Sequence, residues 1–186
     1  MNFIKLKNSK NENLNKKLFS FTTEKLPNTI FSILGYEFYK NIYLKNNFKK
    51  IYYYKKKKKI LILVSYIDKK LESNLKIEII KYFIFHPKKL ILLFKNIYFF
   101  FKIIKYPKNY IQLFHFIVDK SSQIKINKKV RDKKIHQLHK KLINNKYLGI
   151  FAIFNNENLS AKNYYKKNKF IIFSKNLFYS CVKRVY

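Results

Sequence analysis

The chain has 186 residues and a formal net charge of +33, and hydrophobic residues make up 48% of it. That fraction supports one domain with a sizeable core and excludes a disordered basic tail. Cys181 is its single cysteine, which excludes an intrachain disulfide and a Cys-rich zinc site and suits a reducing, cytoplasmic setting. The opening MNFIKLKNSK lacks the apolar core of a signal peptide.

The charge has two readings. Lysine in excess attracts polyanions such as RNA, DNA or an anionic membrane surface, so non-specific nucleic-acid binding is expected. The same composition follows from drift in an AT-rich genome, where Lys, Asn, Ile, Tyr and Phe codons accumulate. Gly occurs twice, Pro three times and Trp never. On that reading the charge says nothing about partners.

In chain order, residues 2–7 fit a short strand, and the polar stretch 10–20 a helix or an irregular segment. From Leu26 to Tyr43, Phe31, Leu34, Phe38, Ile42 and Tyr43 recur at helical spacing. Pro27 marks the helix entry, Asn28 is a candidate cap, and Gly35 breaks the pattern into two helices. Residues 50–54 and 60–67 are β-branched and aromatic and read as strands, with the lysine run 55–59 as a solvated hairpin loop. Residues 71–86 read as a helix stopped by Pro87. Residues 88–105 read as a second helix, so 71–106 forms a helical insertion. Its apolar part, Leu90–Tyr106, is interrupted by Lys95, Lys102 and Lys105. No apolar stretch therefore reaches the roughly 18 residues of a membrane-spanning helix.

Strand 111–119, basic helix 127–145, strand 148–154, helix 158–168 and strands 170–174 and 177–184 complete the chain. Val130, Ile135, Leu138 and Leu142 mark the inner side of the basic helix. This alternation of strand and helix is an α/β pattern.

Within it stands IFNNENLSAKNYYKKNKF. Asn158, Ala161 and Tyr165 fall at i, i+3 and i+7, on one helical face. Ala161 lets that face approach a ligand, and the Tyr165 phenol can donate a proton. The stretch resembles the coenzyme-binding helix of the GNAT acyl-CoA N-acyltransferases, in which Asn-x-x-Ala-x-x-aromatic-Tyr leads to Gly-Phe. Asn158, Ala161, Tyr164, Tyr165 and Phe170 match that pattern, and Lys169 stands where Gly is usual. Leu26–Tyr43 and Ile51–Asp68 are similar to the opening helices and following hairpin of certain members.

The resemblance implies an α/β (α+β) fold, with a mixed central sheet flanked by helices in a single domain. It also implies acetyl-CoA as co-substrate and transfer of an acetyl group to a primary amine on a small-molecule or peptide acceptor. Tyr165 would protonate the leaving thiolate, and Asn158 would contact the pantetheine arm or acyl region. The family's pyrophosphate loop maps onto Val118, Gln123, Lys125, Ile126, Asn127 and Lys128. Gln123 matches, but Ile126 and Lys128 replace small residues, and a branched Cβ at Ile126 crowds the approach of phosphate to backbone N–H groups. Lys125, Lys128 and Lys129 would compensate by charge. His115, mid-strand near the expected thioester position, is either a general base or a packed core histidine. Glu37 is a second candidate base. Asp132, His136 and His139 have metal-like spacing, but their basic neighbours oppose a cation. Alternatives to the enzyme are a basic RNA-binding or ribosome-associated protein and a catalytically inactive protein of the same fold.

Overall fold

The computed structural model describes residues 1–7, 10–27, 30–45, 50–88, 107–120, 126–143, 147–176 and 179–186, excluding the side chains of residues 30 and 69–76. The chain forms two compact units. Asn2–Lys102 and His115–Lys125 make one, and Ile103–Phe114 and Ile126–Tyr186 make the other, joined by Met1.

The first unit starts with β1 (Ile4–Lys5) and α1 (Glu12–Lys25). Asn11 caps α1 by accepting from the Leu14 N–H, and Leu18, Phe21 and Thr22 form its buried side. Next come α2 (Ile30–Leu34) and α3 (Tyr36–Phe38), which continues as the π-helix Tyr39–Leu44. Gly35 separates α2 from α3 at φ 86°, a backbone angle that a side chain disfavours. The expected apolar positions Phe31, Leu34, Phe38, Ile42 and Tyr43 are all buried. The π-helix winding adds Tyr39 and Leu44 to the same core.

Strands β2 (Ile51–Lys56) and β3 (Lys59–Ile67) pair antiparallel through a two-residue turn. Lys57 and Lys58 have φ of 49° and 64°, as a type I′ turn requires, although Asn-Gly is the usual occupant. β3 is buried from Ile60 to Ile67, so both of its faces are covered. Helix α4 (Lys69–Phe85) follows and stops two residues before Pro87. The expected second helix at 88–105, and the Asn28 cap, lie outside the described residues.

Strand β4 (Tyr110–Val118) alternates buried and half-buried positions. Its first half belongs to the second unit. There it pairs in parallel with β5 (Gly149–Asn155), from Tyr110↔Gly149 to Leu113↔Ala152. Parallel neighbours need a crossover, and α5 (Lys128–Ile143) supplies it. Ile135, Leu138, His139 and Ile143 are the buried side of α5, whereas Val130, expected inside, is exposed in the first turn. After α6 (Leu159–Lys167), β6 (Ile171–Lys175) and β7 (Tyr179–Val185) pair antiparallel, and β7 pairs antiparallel with β5. The resulting order is β1-β2-β3-β4-β5-β7-β6, a mixed seven-stranded sheet flanked by helices.

Candidate active site on helix α6

Helix α6 is fixed at both ends by its own sequence. After β5 the chain turns on Asn155, whose side chain accepts from the Glu157 N–H at 2.8 Å. Asn158 then caps the helix, accepting from the Ala161 N–H at 2.9 Å. At the far end the Lys169 N–H donates to the Lys166 carbonyl (3.1 Å) and the Phe170 N–H to the Tyr165 carbonyl (3.0 Å). These are the paired bonds of a Schellman cap, and Lys169 takes the left-handed angle (φ 59°) that the cap demands. Its apolar contact is present too, with the Phe170 and Tyr165 rings 5.0 Å apart, edge to face. The position where the GNAT pattern has Gly is therefore the position that requires positive φ here.

This cap anchors Tyr165. Its ring also packs 5.3 Å from Phe154 of β5, and the residue is 7% exposed. Burial raises the phenol above its ordinary pKa, so it keeps its proton at neutral pH. Tyr165 lines a cavity of about 410 Å³ with Phe154, Asn156, Lys162, Lys166, Phe170, Ile172, Lys175, Ser180 and Val182. Ser180 donates to Asn156 Oδ1 at 2.6 Å, and Asn156 Nδ2 donates to the Asn176 carbonyl at 2.9 Å. Asn156, Lys175 and Ser180 carry no linear motif. The antiparallel β5–β7 and β6–β7 registers, with Phe154 and Lys175 each opposite Ser180, bring them together.

The other sequence candidates occupy different surroundings. Ala161 is half-buried in the first turn of α6, and Asn158 Oδ1 is engaged in the cap. His115 is buried, with Nδ1 3.2 Å from Tyr43 Oη and its ring 5.5 Å edge to face from both Phe31 and Tyr43. Tyr43 in turn donates to Ser65 Oγ at 2.7 Å. Desolvation lowers the His115 pKa to about 3, so the ring is neutral and a weak proton acceptor. Glu37 is exposed and accepts from Asn41 at 3.0 Å.

Val118 ends β4 half-buried, and the next residue, Asp119, is buried with Lys25 and Lys59 at 3.3 and 3.0 Å. Gln123 and Lys125 lie outside the described residues. Ile126 is half-buried and Lys128 exposed. Asn127 caps α5, accepting from the Lys129 N–H at 3.0 Å and the Val130 N–H at 3.2 Å. It thus takes two of the donors that a phosphate at this helix start would use. Asp132 is held by Arg131 at 2.7 Å, and His139 Nδ1 lies 2.5 Å from Tyr186 Oη.

Comparison with solved structures assigns the fold. An N-acetyltransferase from Staphylococcus aureus Mu50 matches at TM-score 0.60 and 10% identity, over 99% of this chain and 100% of that one. The PaiA N-acetyltransferase from Thermoplasma acidophilum, solved in complex with coenzyme A, matches at 0.56 and 14%, over 100% and 98%. A GNAT-family acetyltransferase from Bacillus cereus ATCC 10987 matches at 0.52 and 13%, over 99% and 96%. The chain has the GNAT fold. No family model matches the sequence, and no curated protein matches it either. Helix α6 is capped at both ends with Tyr165 buried, Lys169 occupies its left-handed C-terminal position, and Asn127 caps the start of α5. Among the described residues, no helix is long and apolar enough to cross a membrane.

Proposed function

We propose that the protein is a GNAT-type N-acetyltransferase that moves an acetyl group from acetyl-CoA to a primary amine. The observation that carries this reading is Tyr165, a protonated phenol lining a cavity on a helix locked at both ends. The amine nitrogen attacks the acetyl carbonyl carbon, a C–N bond forms, and the C–S bond breaks with its electron pair left on sulfur. Tyr165 donates a hydrogen bond and then its proton to that sulfur, and the proton lost by the amine replaces it. The products are an acetamide and free coenzyme thiol.

The chain's fit to the coenzyme is uneven. Tyr165 suits the thioester end. At the start of α5, the Lys128 N–H is left for the pyrophosphate unless the Asn127 side chain turns away, and Ile126 narrows the approach. Lys128 and Lys129 would hold the phosphates by charge. This capped terminus also favours a second reading, a protein of the same fold that has lost coenzyme binding.

Calorimetry with acetyl-CoA at moderate salt, followed by thiol release with a panel of amines, separates the two readings. Saturable binding and thiol release are expected. Tyr165→Phe should lower kcat by roughly 10²-fold with an unchanged melting temperature, since it removes one proton donor and no packing. If acetyl-CoA gives no heat, the second reading stands.

A further inference from the structure

The acceptor is not defined by Tyr165 alone, and the rest of the cavity bears on it. Three of its lining residues are lysines, Lys162 and Lys166 one turn apart on α6 and Lys175 at the end of β6, and none is acidic. Asp132 and Glu157 are the acidic residues of 126–186. Asp132 is engaged by Arg131 and by Lys167, a lysine that does not line the cavity. Among the described residues, no ion pair involves Lys162, Lys166 or Lys175. The cavity therefore carries an uncompensated positive field.

Its polar wall is fixed in place. Ser180 is buried, and the chain of hydrogen bonds from Ser180 through Asn156 to the Asn176 carbonyl holds both side chains. Phe154, Phe170 and Val182 supply buried or half-buried apolar surface behind it, whereas Ile172 and the three lysines stand exposed at the rim. A volume of about 410 Å³ suits a small metabolite.

We propose that this cavity is the acceptor subsite and that the acceptor is a small primary amine bearing a phosphate or carboxylate group. The inference rests on the acetyltransferase reading. The anionic group pairs with the lysines while the amino group faces the Tyr165 end. The same lysines disfavour a protonated amine, so they help to deliver the free amine that must attack. That accounts for a cavity without a carboxylate base. Polyamines and lysine-rich peptides are disfavoured by like charge.

The test uses the full chain and three probes, O-phosphoethanolamine, ethanolamine and putrescine, in calorimetry at moderate salt. O-Phosphoethanolamine should bind saturably, and the other two about tenfold more weakly or worse, since a charge-assisted hydrogen bond is worth that much. Lys166→Gln/Lys175→Gln should lose that preference, and Lys140→Gln/Lys141→Gln, an equal charge change on exposed α5 positions, should retain it. Equal weakening in both pairs overturns the proposal, because binding would then follow net charge alone. Displacement of O-phosphoethanolamine by coenzyme A also overturns it, by assigning the lysines to the coenzyme's own phosphate.

Turnover with acetyl-CoA on the same samples separates this inference from its premise. Transfer to putrescine but not to O-phosphoethanolamine overturns the acceptor class and leaves the acetyltransferase standing. Binding of O-phosphoethanolamine with no transfer to any amine overturns the acetyltransferase reading, and the acceptor assignment with it. In the supporting case, the acid limb of the kcat profile, which reports the bound amine, moves to higher pH in the Lys166→Gln/Lys175→Gln variant.

Discussion

Lys169 illustrates how single residues carry this fold. It sits at φ 59° because the Schellman cap of α6 needs a left-handed residue there, and a side chain at that angle costs about 1 kcal/mol. Lys57 and Lys58 occupy positive φ in the hairpin turn for the same reason. In a chain with two glycines, lysine stands at positions that glycine usually fills. Lys169→Gly should raise stability by about 0.5–1 kcal/mol in urea unfolding, with Tyr165 unmoved. Gly149, by contrast, cannot be replaced. A Cβ there would overlap the Arg184 carbonyl and lie 2.8 Å from Tyr110 Cε1.

Two histidines add a pH dependence. Burial lowers both His115 and His139 to about 3, from 6.5 in the unfolded chain. Below pH 6.5 the unfolded chain takes up protons that the folded rings refuse, so unfolding is favoured. Their contribution is complete above pH 6.5 and is lost progressively as pH falls towards 3. Denaturant midpoints measured across that window should drop with acidification, and His115→Gln should flatten part of the slope.

At the scale of elements, the two helix starts in the second unit follow one rule with different consequences. Asn158 and Asn127 both accept first-turn N–H groups through Oδ1. At α6 the cap fixes the helix that holds Tyr165. At α5 it competes with any phosphate for the Lys129 and Val130 N–H groups. Asn127→Gly should cost only a few tenths of a kcal/mol of stability, because glycine is itself tolerated as a cap. It should tighten acetyl-CoA binding several-fold by calorimetry, since two donors become available. Unchanged affinity would mean that the phosphates do not use this helix start.

Across the whole molecule, charge is the dominant variable. At +33 the folded chain repels itself, and salt screens that repulsion over about 10 Å at 0.1 M. The melting temperature should therefore rise as ionic strength increases from low to moderate values, until screening saturates. A protein whose salt bridges dominated its stability would show the opposite trend.

Much of this was legible in the sequence. The alternation of strand and helix from 111 onward, the break at Gly35, the hairpin around the lysine run and the spacing of Asn158, Ala161 and Tyr165 are local features. They depend on periodicity, turn chemistry and capping, which act over a few residues. Because Lys169 directly precedes Phe170, the sequence alone marks both the end of α6 and the missing glycine. Side-chain surroundings were not legible. The sequence offers His115 both as a base and as a core residue, and packing against Phe31 and Tyr43, distant in the chain, leaves it neutral and buried. The cavity wall of Asn156, Lys175 and Ser180 exists because antiparallel pairing of β7 with both β5 and β6 sets their register. Local sequence thus determined the order and type of most elements, although Lys55, Lys56 and Lys59 of the expected loop belong to strands β2 and β3. Tertiary structure decided which side chains lose water and which charges face one another, because burial and long-range register are properties of the packed chain.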